Sequence, residues 1–176
     1  MRRTRSLTLA ALLMAAGLAL GLVFHALGVG GQVALPLHYP PLLAGFLLGG
    51  GWGMAVGALL PPVSALATGM PPLFPSALLM IPELAVYGAA SGYLRRSLGV
   101  IPSLLAALIL GRAAWGLAAW VLLPLLGFRI PVLAALGSGL LLGLPGLLGQ
   151  IVVVPLLVRR IETLRPVPAR HPLANG

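Results

Sequence analysis

From Leu7 to Leu27 the chain carries no Asp, Glu, Lys or Arg, and stretches of the same kind recur almost to its other end. Of its 176 residues, 60% are hydrophobic and 7% charged. A soluble domain would carry about a quarter charged residues and display them on its surface. A chain this poor in charge cannot cover a face turned to water, so its expected solvent is lipid. The fold class that follows is an all-α integral membrane protein.

A helix needs about 20 residues to cross about 30 Å of hydrocarbon. Spans are expected near 7–27, 40–50, 52–68, 76–94, 101–124 and 141–158. The second is short, and Pro61-Pro62 should interrupt the third. Such segments persist in a bilayer only when protein surrounds them or they line a cavity. "LGGGWG" (48–53) reads as a tight turn joining the second and third. The basic start of the chain resembles a secretory signal, but the first apolar stretch is long enough to span, so a retained helix is the expectation. Residues 1–160 form the expected membrane domain, and 161–176 a polar, proline-containing cytoplasmic tail.

All eleven basic residues are arginines. Six spans put Arg2, Arg3, Arg5, Arg95, Arg96, Arg159, Arg160, Arg165 and Arg170 on one side, and Arg129 alone on the other. The positive-inside rule makes that side the cytoplasm, with both termini there. Because the arginines flank apolar spans and form no patch, they orient the chain in a membrane and do not point to nucleic acid. There is no cysteine, which excludes disulfides and thiolate metal sites.

Polar groups inside the membrane are costly and mark function or interhelical contacts. Glu83, one of two acidic residues, lies within "LLMIPELAVYG". Met80, Glu83, Tyr87 and Ser91 share a helical face by their spacing. Arg112 sits mid-span in the fifth segment, with Trp115 on its face, and its long side chain can reach outward. Glu83 and Arg112 could therefore pair with each other or bracket a polar ligand. The first outer loop offers Gln32, His38 and Tyr39. The second offers Thr68, Met70 and Phe74, stiffened by prolines. Gln150, after "LPGLLG", is either an interhelical hydrogen-bonding group or a site donor. Ala11, Ala15 and Ala19 repeat every four residues, and small residues at that spacing permit close helix approach, within the bundle or to a partner.

Bond-breaking chemistry finds little to work with. Metal-assisted group transfer needs several carboxylates, and Glu83 is the only acid expected inside the membrane. The histidines at 25, 38 and 171 precede or follow the late spans, which leaves no facing Ser–His pair. No GxxxxGK[ST] loop is present, so the chain cannot power itself with ATP. Binding fits these residues better than catalysis does.

Four stretches together resemble a known family: "LPLHYPPLLAGFLLGGGWGMAVGALLPPVSALATGMPPLFP" (35–75), "PELAVYGAASGYL" (82–94), "GRAAWGL" (111–117) and "LPGLLGQIVVVPLLV" (144–158). They look like the substrate-binding S components of energy-coupling factor (ECF) vitamin transporters. The resemblance implies capture of a vitamin or precursor from outside the cell, in the cell membrane of a bacterium or archaeon. It implies association with a transmembrane coupling subunit and two ATPase subunits, which would use the ATP; the chain itself would hold no cofactor. By position it nominates His38, Thr68, Met70, Phe74, Glu83, Tyr87, Arg112, Trp115 and Gln150 for the ligand, and Ala11, Ala15 and Ala19 for the coupling subunit. The competing expectation is a scaffolding membrane protein whose polar residues only lock the bundle. A self-sufficient carrier would want a second structural repeat, which the sequence does not display.

Overall fold

The computed structural model describes residues 2–28, 30–128 and 131–164, and all the regular structure among these is helical. The elements in chain order are α1 (Arg2–Ala26), α2 (Gly31–Ala34), a short turn of helix at Pro36–His38, α3 (Tyr39–Leu48) and α4 (Gly50–Thr68). A distorted turn at Leu73–Ala77 leads into α5 (Leu78–Leu98), followed by α6 (Val100–Leu125) and α7 (Val132–Thr163). Arg129, Arg165, Arg170 and the expected tail beyond Leu164 lie outside the described residues.

Among the described residues, five helices are long and apolar enough to cross a membrane: α1, α4, α5 with its preceding turn, α6 and α7. The sixth expected segment is α3, with ten residues, or about 15 Å of helix. It survives because protein encloses it, with every residue from Pro40 to Phe46 buried. Two expectations are corrected. Pro61 and Pro62 do not interrupt α4, which runs continuously from Gly50 to Thr68; its packing along α5 holds the helix where the prolines remove two backbone donors. Helix α7 begins at Val132, nine residues before the expected start at 141. Gly137, Ser138 and Gly139 lie within the helix.

The centre of the bundle is an antiparallel stack of α3, α4 and α5 joined through glycines. Gly53 of α4 lies against Gly45 of α3 and the Gly88 carbonyl of α5, while Gly57 meets the Leu84 carbonyl and Gly92 meets Gly50. A side chain at any of these positions would occupy a neighbour's backbone or side chain. With only hydrogen atoms at the contact, the helices approach until their backbones touch, and dispersion replaces the hydrophobic drive that lipid cannot supply. Gly49, at φ 103°, makes the corner between α3 and α4, a conformation that glycine adopts without strain.

These contacts set the direction of every helix. Ala10 of α1 packs with Ala44 and Val56, and Gly17 of α1 meets Pro40 and Leu60, so α1 runs parallel to α4 and antiparallel to α5. The start of α1 therefore shares one end of the bundle with the end of α5. Arg95 brings in the end of α7: it ion-pairs with Glu162, and its Nη1 donates to the Phe46 carbonyl at 2.6 Å. That carbonyl belongs to the last turn of α3, where no intrahelical donor remains. Arg3, Arg5, Arg95, Arg96, Arg159 and Arg160 thus gather at one end.

Candidate functional site

At the opposite end, the loops and the outer turns of α1, α4, α5, α6 and α7 enclose a cavity of about 610 Å³, a volume typical of small-molecule pockets. Its walls are mainly apolar: Leu18 and Leu22 from α1, Leu79 from α5, Trp115 from α6 and Leu142 from α7. The titratable side chains His25, His38, Glu83 and Arg112 also line it.

Glu83 is 1% exposed. Arg112 Nη1 lies 3.0 Å from Glu83 Oε1, and His38 Nε2 lies 3.6 Å from the same oxygen. The question of whether Glu83 and Arg112 meet is thereby answered: they form an ion pair across α5 and α6. The pair leaves hydrogen-bonding capacity unused. Arg112 Nε and both ring nitrogens of His38 are buried without a hydrogen-bond partner. Native interiors rarely leave so many polar atoms unmatched in one place, and a polar ligand would supply both donors and acceptors.

Local structure explains how each group gets there. Glu83 sits in the second turn of α5, on the face that also buries Tyr87 and Ser91. Tyr87 lies directly beneath the cluster. Its ring stands 5.5 Å from the His38 ring, tilted by 56°, and rests on Gly111, where a Cβ would clash with it. The glycine before Arg112 thus makes room for the aromatic platform under His38. His38 owes its place to Leu35, the one described non-glycine residue with positive φ, at φ 51° and ψ 46°. A leucine adopts that conformation only against a cost of about 1–2 kcal/mol. Its side chain lies against Gly143 and Gly146 of α7, which holds the chain in the bend. The Leu35 carbonyl then accepts the His38 N–H at 3.1 Å and closes the turn.

The rim is built on α4. Ser64 Oγ donates to the Met70 carbonyl at 2.6 Å, and Thr68 Oγ1, which donates to the Ser64 carbonyl at 2.8 Å, accepts the Met70 N–H at 3.2 Å. Two hydroxyls therefore tie the proline-rich loop back to the helix, and Met70, Pro71, Pro72 and Pro75 line the cavity from it.

Of the residues nominated from sequence, His38, Thr68, Met70, Glu83, Arg112 and Trp115 line one cavity. Tyr87 supports it from below. Phe74 is 59% exposed and lies outside the lining, at the residue where the backbone turns extended (φ −120°, ψ 133°) between loop and helix. Gln150 also lies outside the lining; it is fully buried, with its amide oxygen and nitrogen unpaired. Ser64, Ser76, Ser138 and Leu35 line the cavity without having been singled out. Only Ser64 had a readable signal, a hydroxyl one turn before Thr68. Ala11, Ala15 and Ala19 are all exposed, on the face of α1 turned away from the inward residues Ala10 and Gly17.

No protein-family model, curated protein or solved structure matches this chain. The chemistry of the cavity therefore carries the functional reading.

Proposed function

We propose that this protein captures a small water-soluble vitamin or vitamin precursor from outside the cell and delivers it inward with an ATP-driven energy-coupling module, as an S component does. The observation that carries the reading is the Glu83–Arg112–His38 cluster, buried at a cavity with unfilled donors and acceptors. A buried ion pair alone can be structural; this one also borders a void of ligand size, as the few polar groups of a small-molecule pocket do. An anionic or zwitterionic molecule would place its charged group among these three side chains and its apolar body against Leu79, Trp115 and Leu142. Native mass spectrometry of the purified protein should release one co-purified metabolite; a protein that binds none under uptake conditions would be a scaffold.

In this reading the arginine-rich end faces the cytoplasm with both termini, and α3 counts as the sixth, protein-sheathed crossing. Reporter fusions at the C-terminus and within 126–131 should then signal opposite compartments. Equal signals from the two would overturn the orientation.

The partner would be a transmembrane coupling subunit with two ATPases, docked along the Ala11/Ala15/Ala19 face. That this face is exposed supports a docking role, since a stripe serving the bundle would be turned inward. Ala15→Leu is expected to abolish complex formation and uptake and to leave ligand affinity within about twofold, because a surface substitution away from the cavity changes little else. Pull-down with the coupling subunit and equilibrium binding, measured on one preparation, separate the two effects.

A further inference from the structure

A groove of about 490 Å³ opens at the arginine-rich end, between the α3–α4 corner and the last turns of α5. It shares no residue with the cavity at the other end. Gly49, Gly50 and Gly51 line it together with Trp52, Tyr93 and Arg96. The Tyr93 ring rests on Gly50, where a Cβ would come within 2.6 Å of it. Its hydroxyl lies 3.8 Å from the place a Cβ would take at Gly51. Tyr93 and Arg96, three residues apart on α5, share one helical face, so phenol and guanidinium edge the same groove.

Charge at this end is unbalanced. The arginines gathered here meet one acid, Glu162, and Arg95 already engages it. Arg96 is exposed and has no ion-pair or hydrogen-bond partner among the described residues. A guanidinium can hold a phosphate through two parallel N–H bonds, and a tyrosine hydroxyl beside it adds a donor.

An apolar track leads away from the groove. Ala55 lines the groove, and Ala55, Leu59 and Val63 follow Gly51 at four-residue spacing on α4, all exposed. From Gly51 to Val63 the helix rises about 18 Å, enough to cover the roughly 15 Å of hydrocarbon in one leaflet. A soluble anion would use the arginine and leave the track bare. A molecule with an anionic head and a long apolar tail fits both. Trp and Tyr also favour the depth at which lipid headgroups lie.

We propose that this groove binds an anionic phospholipid, with the phosphate on Arg96 and Tyr93 and an acyl chain along Ala55, Leu59 and Val63. Basic clefts between membrane helices are a recurrent form of headgroup site.

The test titrates the purified protein in detergent with dioleoyl phosphatidylglycerol or dioleoyl phosphatidylcholine and counts bound lipid by native mass spectrometry. Wild type should hold phosphatidylglycerol more tightly. Arg96→Gln should weaken that binding about fivefold, the effect of one arginine on an anionic lipid, and leave phosphatidylcholine unchanged. Gly51→Leu keeps every charge, and its Cβ meets only the Tyr93 hydroxyl; by filling the groove it should cause a similar loss. Arg159→Gln removes an exposed charge at the same end but outside the groove, and should change little. Equal losses from Arg96→Gln and Arg159→Gln would overturn the site in favour of a diffuse attraction. A wild type that does not distinguish the two lipids would overturn it as well. Displacement of the lipid by inorganic phosphate would instead show a site for a free anion.

Discussion

If the ligand-site proposal holds, the double replacement of Glu83 by Gln and Arg112 by Met is expected to leave a folded protein whose affinity for a metabolite that co-purifies with the wild type falls at least about a hundredfold. Charge-assisted hydrogen bonds contribute about 1.5–3 kcal/mol each, and about 1.4 kcal/mol corresponds to a factor of ten. Two such bonds lost together exceed that threshold. Folding should survive because the pair is removed as a unit, and a buried pair replaced by uncharged groups of similar size is often neutral for stability. The single variants should behave differently. Glu83 is 1% exposed and the Arg112 side chain 17%, so removing one partner strands the other, at about 3–5 kcal/mol for a fully buried pair and less here on the arginine side. Melting temperature in detergent and equilibrium binding on all three variants decide the matter. Unchanged affinity in the double variant would reduce Glu83 and Arg112 to a clasp between α5 and α6.

Gly88→Ala should destabilise the bundle at its centre. The new methyl group would coincide with the backbone of Gly53, and backbone cannot rotate away as a flexible side chain can. Helices α4 and α5 must separate, and α3, which contacts both at Gly45, loses its seat. Overpacking in a rigid core costs about 1–3 kcal/mol, occasionally more. At about 3 kcal/mol the melting temperature of a protein this size should fall by about 6–12 °C. Gly137→Ala in α7 is the matched control, since a Cβ there meets nothing within 4 Å and alanine favours the helix by up to about 1 kcal/mol. Equal behaviour of the two variants would show that the α4–α5 contact tolerates separation.

Whether the second effect spreads to the site is a further readout. Glu83 lies one residue before Leu84, whose carbonyl lies against Gly57. Displacement of α5 at Gly88 should therefore loosen the geometry around Glu83 as well as the fold.

Membrane residence, the positions of the apolar helices and the costly groups inside them were legible in the sequence because each depends on local composition. A carboxylate and a guanidinium within apolar runs announce themselves wherever the helices end up, so Glu83 and Arg112 could be named before their contact was known. Helix extent was less legible: the prolines at 61 and 62 would break an isolated helix, yet α4 packed along α5 runs through them, and the start of α7 at Val132 lay upstream of the apolar run that marked its expected span. What only the tertiary structure decided is which distant residues meet. The Glu83–Arg112 contact, the Arg95–Glu162 clamp on Phe46, the Leu35 bend seated on Gly143 and Gly146, and the hydroxyl grip on Met70 all join residues of different elements. Spacing along one helix determines which side chains share a face, but the partner of that face follows from how closely whole helices can approach. In this bundle the glycine contacts among α3, α4 and α5 set that distance.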